Sequence, residues 1–142
     1  MNNSTELTIY YDALCPLCHR EMQQIKRRDL QQKITLVDIN RIDFEDKYPH
    51  IDRIKANQIL HGQRASGELL LGLDVTHAAW SLVGAGKFTG LLRLPLIRQV
   101  ADRAYLLFAR HRYRISWLLT GKKRLAGRAC PDGTCATKNS PY

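Results

Sequence analysis

The pattern of apolar and polar positions near the start of the chain predicts a strand, a helix and a second strand. Residues 7–11 form a short run of β-prone side chains, and residues 34–39 form another that is rich in β-branched residues. Between them, Cys18, Met22 and Ile25 recur at the spacing of one helix face. This order of elements favours a parallel strand pair joined by a right-handed crossover.

The middle of the chain predicts an antiparallel hairpin between two helices. Residues 57–61 and 68–71 look like two strands, and the turn between them contains Gly62, Ser66 and Gly67. A short helix is expected near residues 43–48, and another over residues 75–83 with Asp74 as its N-cap. We therefore expect an α/β fold with a mixed sheet of about four strands and flanking helices.

The last third of the chain is dominated by one long helical pattern that begins near Pro95, with a break expected near residues 112–114. The pattern divides the chain into a βαβ–ββα core over residues 1–92, a basic amphipathic helix over residues 93–119 and a flexible basic tail over residues 120–142. The helix is expected to pack on the core or to extend from it.

Charge is distributed unevenly along the 142 residues, whose net charge is +9. Residues 1–84 carry ten basic and eleven acidic side chains, whereas residues 85–142 carry twelve basic and only two acidic ones. A basic helix of this kind has three interpretations: a helix lying on anionic lipid, a nucleic-acid surface, or an ordinary packed helix with a solvated charged face. Of the two anionic surfaces, the membrane is the favoured one. The basic and aromatic residues of this region are Arg93, Arg98, Arg103, Arg110, Arg112, Arg114, Tyr105, Phe108, Tyr113 and Trp117.

The start of the chain is polar and shows no secretory signal, and no apolar run reaches the ~20 residues of a membrane-spanning helix. We therefore expect a cytoplasmic protein that contacts the membrane, if at all, from its surface. In a reducing compartment, four cysteines favour redox chemistry or metal binding over a disulfide scaffold.

The segment Cys15-Pro16-Leu17-Cys18 follows the first predicted strand and begins the first predicted helix. Pro16 suits the first helical position, and the backbone N–H groups there would stabilise a Cys15 thiolate. We expect the pKa of Cys15 to fall below the usual value of about 8.5. Cys18 lies one turn later on the apolar face, so it is expected to be the less exposed thiol that resolves a mixed disulfide.

Other interpretations of this pair stay open. Cys15 and Cys18 could form a zinc site together with Cys130 and Cys135, or they could be core cysteines without chemistry. Residues 15–19 also match the haem c attachment pattern, which normally requires export.

The run YYDALCPLC, residues 10–18, resembles the Asp-x-x-Cys-x-x-Cys signature of the DCC family of predicted thiol-disulfide oxidoreductases. The similarity extends over about residues 7–118. It implies a thioredoxin-like fold, with dithiol chemistry at Cys15 and Cys18, and it singles out Asp12 as a signature residue.

Two departures accompany the resemblance. Ala13 stands where the signature typically has glycine, and no proline precedes either strand of the predicted hairpin, where thioredoxins carry one that faces the dithiol. We therefore expect substrate docking to differ from that of thioredoxin.

Asp12 has two interpretations. Its carboxylate could accept a proton from Cys18 during resolution, or it could cap the turn at the end of the strand.

Cys130 and Cys135 flank a Pro-Asp-Gly turn in the tail. They could form an auxiliary dithiol that exchanges with Cys15 and Cys18, a pair that stabilises the tail, two unpaired thiols, or metal ligands.

The predicted activity is therefore thiol–disulfide exchange, in which Cys15 attacks and Cys18 resolves. The expected partners are a disulfide-bearing protein or a small thiol and a separate electron donor, and no bound cofactor is required. A zinc-binding structural module and a non-enzymatic adaptor for membrane or nucleic acid are the alternatives.

Overall fold

The computed structural model describes residues 4–87 and 94–121 of the chain. Four strands and five helices are defined within those residues. The strands are β1 (Leu7–Tyr11), β2 (Ile34–Asp38), β3 (His61–Arg64) and β4 (Leu69–Leu71). The helices are α1 (Pro16–Arg28), α2 (Phe44–Lys47), α3 (Arg53–Gln58), α4 (Leu73–Leu82) and α5 (Pro95–Thr120).

The four strands form one mixed sheet in the order β2-β1-β3-β4. β1 pairs in parallel with β2, because α1 returns the chain to the end of the sheet where β1 began. β3 pairs antiparallel with β1, and β4 pairs antiparallel with β3 as the second strand of a hairpin. The predicted α/β fold with a mixed four-stranded sheet and flanking helices is confirmed.

The strand predicted over residues 57–61 is wrong in its position. Residues 57 and 58 end α3, and the strand begins only at His61. The helix forms because Asp52 is its N-cap, and its carboxylate accepts hydrogen bonds from the backbone N–H groups of Ile54 and Lys55 at 2.9 and 3.1 Å. The capped turn therefore outweighs the β-prone composition that follows it.

Two details of the later helices also differ from the prediction. Gly72, not Asp74, is the N-cap of α4, and its φ of +56° is one that glycine adopts without strain. Asp74 lies in the first turn, where its carboxylate pairs with Arg98 of α5 at 3.1 Å. The break expected near residues 112–114 is absent, since α5 continues to Thr120.

Side chains pack on both faces of the sheet because residues alternate along β1. Leu7, Ile9 and Tyr11 lie in one hydrophobic cluster, whereas Tyr10 lies in the other. The first cluster also contains Met22, Ile25, Ile34, Val75, Ala78 and Ala79, and the second contains Val37, Ile39, Phe44, Ile51 and Ala56. The core therefore fixes α1 and α4 on one face and the α2–α3 segment on the other.

α5 packs against α1 and α4, and it leaves a second face to solvent. Within residues 4–87 and 94–121, no helix combines the length and the apolar character needed to cross a membrane. Cys130 and Cys135 lie outside the described residues, as does the whole tail after Gly121.

Candidate dithiol site

Cys15 and Cys18 lie together at the start of α1, directly after the end of β1. Cys15 is the N-cap, Pro16 occupies the first turn, and the Cys15 carbonyl accepts the His19 N–H at 2.9 Å. Both cysteines are free thiols, and the Cys18 thiol donates a hydrogen bond to the Cys15 sulfur with the two sulfur atoms 2.8 Å apart. The two sulfurs are therefore close enough to exchange a proton and to form a bond with each other after a small shift.

The two thiols differ strongly in acidity. The pKa of Cys15 is lowered to about 7, chiefly by the hydrogen bond from the Cys18 thiol. The Cys18 backbone N–H and the charge of Arg112 also lower this pKa, whereas burial and the charge of Asp12 raise it. The same hydrogen bond, together with burial and the charge of Cys15, raises the pKa of Cys18 far above its usual range. Near neutral pH the negative charge of the pair is therefore carried by Cys15.

The predicted exposure of the two cysteines is wrong. The Cys15 side chain is 0 % exposed, whereas Cys18 is partly exposed and lines a cavity. The nearby residues Ala13 and Pro16 are buried as well. The thiol with the lower pKa is thus the less accessible of the two.

The parallel arrangement of β1 and β2 brings polar residues to the edge of the sheet that carries the cysteines. Asp12 follows β1 and Asn40 follows β2, and the Asn40 side-chain amide donates to Asp12 Oδ1 at 2.8 Å. The same amide donates to Asp38, which also accepts the Ala13 N–H at 3.3 Å. Ala13 does not have a positive φ, so this turn does not require glycine.

Asp12 is buried, and its two oxygens accept four hydrogen bonds. Oδ1 accepts the Leu14 N–H at 3.0 Å and the Asn40 amide, while Oδ2 accepts Arg112 Nη2 at 3.1 Å and the Tyr113 hydroxyl. Through the hydrogen bond from Leu14, Asp12 caps the turn at the end of β1, which is one of the two interpretations of Asp12. The role of Asp12 as a proton acceptor for Cys18 stays a prediction.

Arg112 and Tyr113 were not recognised as site residues from the sequence, which placed them on a basic surface. Arg112 is buried, forms an ion pair with Asp12, donates to the Asn57 side chain, and has its guanidinium 4.9 Å from the centre of the Tyr113 ring. One available signal is the helical spacing: Tyr105, Arg112 and Ser116 fall on one face of α5.

Tyr105 attaches the same face of α5 to the start of β3. Its hydroxyl accepts the Leu60 N–H at 3.1 Å, and burial is the largest cause that raises its pKa to about 12. A proline at position 60 would have no N–H for this bond.

A cavity of about 40 Å³ lies between α1, β1 and α5. A water molecule needs roughly 10–15 Å³ of such space, so the cavity has room for a few waters and not for a peptide. Its polar lining consists of Tyr11, Asp12, Cys18, Glu21, Gln58, Thr76, Tyr105 and Arg112.

Glu21 is a third residue that was not recognised from the sequence. It lies one turn after Cys18 on α1, and burial raises the pKa of its carboxyl, while a hydrogen bond with the Trp80 side chain lowers it. The signal that could have found it is the spacing of three from Cys18, which places both side chains on the same helix face.

Among the described parts of the chain, no three His, Cys, Asp or Glu side chains are grouped as a metal site would require. The four-cysteine zinc site and the auxiliary dithiol both depend on Cys130 and Cys135, which lie outside those parts.

One family model matches most of the chain. The family model described as DCC1-like thiol-disulfide oxidoreductase matches residues 9–118. An uncharacterised chloroplastic protein of Arabidopsis thaliana is 26 % identical over 114 residues, which cover 78 % of this chain and 53 % of that protein. The chain thus spans about half the length of this curated relative. No solved structure matches the chain significantly.

Proposed function

Because this chain belongs to the DCC1-like thiol-disulfide oxidoreductase family, we propose that it exchanges a Cys15/Cys18 dithiol with disulfide substrates. Family membership supports a general redox role with thiol or disulfide substrates. The observation that carries the residue assignment is the 2.8 Å contact between the two sulfurs at the start of α1. The contrast between their acidities supports a division of labour between an attacking and a resolving thiol.

In the proposed reaction, the Cys15 thiolate attacks one sulfur of the substrate disulfide. A bond forms between that sulfur and Cys15, and the other substrate sulfur leaves as a thiolate that takes up a proton. Cys18 then loses its proton and attacks the Cys15 sulfur, which releases the second substrate thiol. The substrate gains two electrons, the protein retains a Cys15–Cys18 disulfide, and a separate dithiol donor restores the reduced pair.

The burial of Cys15 adds a requirement to this reaction. A sulfur with no exposed surface cannot meet a protein disulfide, and the cavity beside Cys18 holds only a few waters. We propose that a local opening exposes Cys15 before attack, and that the acidity of Cys15 is set in the closed state by Cys18 and Arg112.

The acidity of Cys15 provides a test. We expect its alkylation by iodoacetamide in the native protein to rise with pH and to level off with a midpoint near pH 7, because the thiolate is the reacting form. Cys18 should stay in its thiol form over the same range, since its pKa is raised. Mass spectrometry of the digested protein measures each cysteine separately.

The urea-unfolded protein is the control, because unfolding removes the Cys18 hydrogen bond and the Arg112 charge and should return both cysteines to a midpoint near their usual value. A native Cys15 midpoint equal to the unfolded one would contradict the assignment of Cys15 as the activated thiol.

The outer face of α5 supports a second proposal, which concerns location. Val100, Leu107 and Leu118 lie on this face with exposed fractions of 69 %, 62 % and 74 %. Exposed arginines accompany them, and apolar side chains next to cations fit an anionic lipid surface better than a nucleic acid. We propose a cytoplasmic protein that lies peripherally on anionic membrane through this face.

Replacing Arg103, Arg110 and Arg114 together by Gln should weaken membrane binding. These side chains are exposed and have no acidic partner within residues 4–87 and 94–121. At about 1 kcal/mol for each cation near the surface, the loss is roughly 100-fold in partitioning. Sedimentation with phosphatidylcholine vesicles that contain phosphatidylserine measures it.

The control is a second triple variant, in which Gln replaces Arg20, Arg27 and Arg64. It has the same net charge as the first triple variant, but its changes lie on other surfaces. Equal loss in both triple variants, or binding to RNA without binding to vesicles, would overturn the membrane proposal.

A further inference from the structure

Glu21 lies on the cavity side of α1, one turn after Cys18, and both side chains line the same small cavity. We propose that Glu21 accepts the proton that Cys18 gives up when it resolves the mixed disulfide, through water held in that cavity. The inference rests on the proposed dithiol exchange and assigns the acceptor that the exchange needs.

Resolution needs such an acceptor because Cys18 holds its proton tightly. Its thiol donates to Cys15 in the reduced protein, and the raised pKa of Cys18 leaves almost no thiolate near neutral pH. After Cys15 is bonded to substrate it carries no charge, but Cys18 is still half-buried. A nearby base therefore accelerates the step by removing the proton as the sulfur–sulfur bond forms.

Asp12 is the nearest alternative, but its acceptor positions are already filled. Four donors surround its two oxygens: the Leu14 N–H, the Asn40 amide, the Arg112 guanidinium and the Tyr113 hydroxyl. A carboxylate held in this way has no open lone pair directed at the cavity. Its contacts instead fasten the Cys-bearing turn to α5.

The Glu21 carboxylate, unlike that of Asp12, has open acceptor positions. Within residues 4–87 and 94–121, Trp80 is the one side chain that donates to the Glu21 carboxylate, so lone pairs remain for water. Burial raises the pKa of Glu21, which makes its carboxylate a better base at neutral pH than an exposed one.

The other groups that face Glu21 do not compete for the proton. Tyr11 of β1 and Tyr105 of α5 each have a pKa raised to about 12, chiefly by burial, and stay neutral near pH 7. Arg112 of α5 stays cationic, since its pKa is raised, and its charge lowers the pKa of Cys15 and of Cys18. Of the two carboxylates that line the described cavity, Glu21 is thus the one with open acceptor positions, and it lies one turn after Cys18 on α1.

Protons and electrons balance when Cys18 resolves the mixed disulfide. The Cys18 proton moves through water to the Glu21 carboxylate while Cys18 attacks the Cys15 sulfur. The bond between Cys15 and the substrate sulfur breaks, and its electron pair leaves on the substrate thiolate. The Glu21 proton then passes through solvent to that thiolate, so the carboxylate is regenerated in each cycle.

A small aromatic disulfide, 5,5′-dithiobis(2-nitrobenzoate), separates the two steps, because each releases one coloured thiolate. The first phase reports attack by Cys15, and the second reports resolution by Cys18. We expect Glu21→Gln to leave the first phase within about twofold of wild type and to slow the second about 100-fold, a typical loss for a missing general base. The exposed Glu45→Gln is the matched control and should change neither phase.

Trp80→Phe keeps Glu21 but removes its hydrogen-bond donor, which should raise the pKa of the carboxyl further. The pH midpoint of the second phase should therefore move upward, and this variant covers the case in which Glu21→Gln does not fold. An unchanged second phase in Glu21→Gln, an unmoved midpoint in Trp80→Phe, or a second phase slowed by Asp12→Asn alone would overturn the inference. Loss of both phases in the wild-type protein would instead contradict the dithiol exchange itself.

Discussion

Replacing Cys15 by Ser is expected to reduce the rate of disulfide reduction by roughly four orders of magnitude or more, to the background of the assay. The size follows from losing the nucleophile of a covalent mechanism. Serine retains the shape of the N-cap residue but supplies no thiolate, and the pKa of Cys15, lowered to about 7, is the property that is lost. Turnover of a model disulfide with a saturating dithiol donor measures the effect.

Cys18→Ser is the matched comparison, because it keeps Cys15 and removes the resolving thiol. This variant should still attack once and then accumulate a mixed disulfide at Cys15, which intact-mass measurement detects as one added substrate thiol per chain. The opposite result, a stable adduct at Cys18 in Cys15→Ser, would reverse the two roles. The attacking thiol would then be the more exposed one, Cys18, and not the more acidic one, Cys15.

Arg112→Met is expected to produce the largest loss of stability among single substitutions at the site. The variant leaves the buried carboxylate of Asp12 without its cation, and removing one partner of a buried ion pair typically costs about 3–5 kcal/mol in the free energy of unfolding. Urea unfolding followed by circular dichroism measures the loss. The same change should raise the pKa of Cys15, because the charge of Arg112 lowers it.

Arg110→Met removes an exposed arginine two positions away and should alter the free energy of unfolding by no more than about 0.5 kcal/mol. In the double variant Asp12→Asn/Arg112→Met the uncompensated charge is gone, so stability should recover in part. If Arg112→Met is as mild as Arg110→Met, the ion pair with Asp12 does not hold α5 to the sheet.

The local features of this molecule are those that its sequence predicts best. The strand, the Cys-x-x-Cys turn and Pro16 lie within a few residues of one another, so their order is enough to predict the βαβ unit. The hairpin was also predicted, but its first strand was placed too early, because Asn57 and Gln58 belong to the helix that Asp52 caps.

The parts of the site that depend on distant contacts were not predicted. Arg112 and Tyr113 meet Asp12 across about a hundred residues, and in the sequence they look like members of a basic helix surface. Helical spacing sorts residues onto faces, but it does not indicate which face turns inward when the apolar residues are spread around the helix, as Leu107 on the exposed face and Phe108 on the cavity side are. The prediction that Cys15 is the more exposed cysteine was wrong for a related reason, because the burial of a side chain depends on what packs over the turn.

The position of Arg112 links the accessibility of the sulfurs to their acidity. The side of α5 that carries this arginine forms one wall of the cavity beside Cys18, and the same guanidinium lowers the pKa of both thiols. An outward displacement of α5 would thus uncover Cys18 and take away a cation that lowers the pKa of both thiols. Access to the thiols and their acidity therefore change in opposite directions when α5 moves. Fast exchange requires a displacement of α5 that is large enough to admit a disulfide and small enough to keep Arg112 near the thiolate.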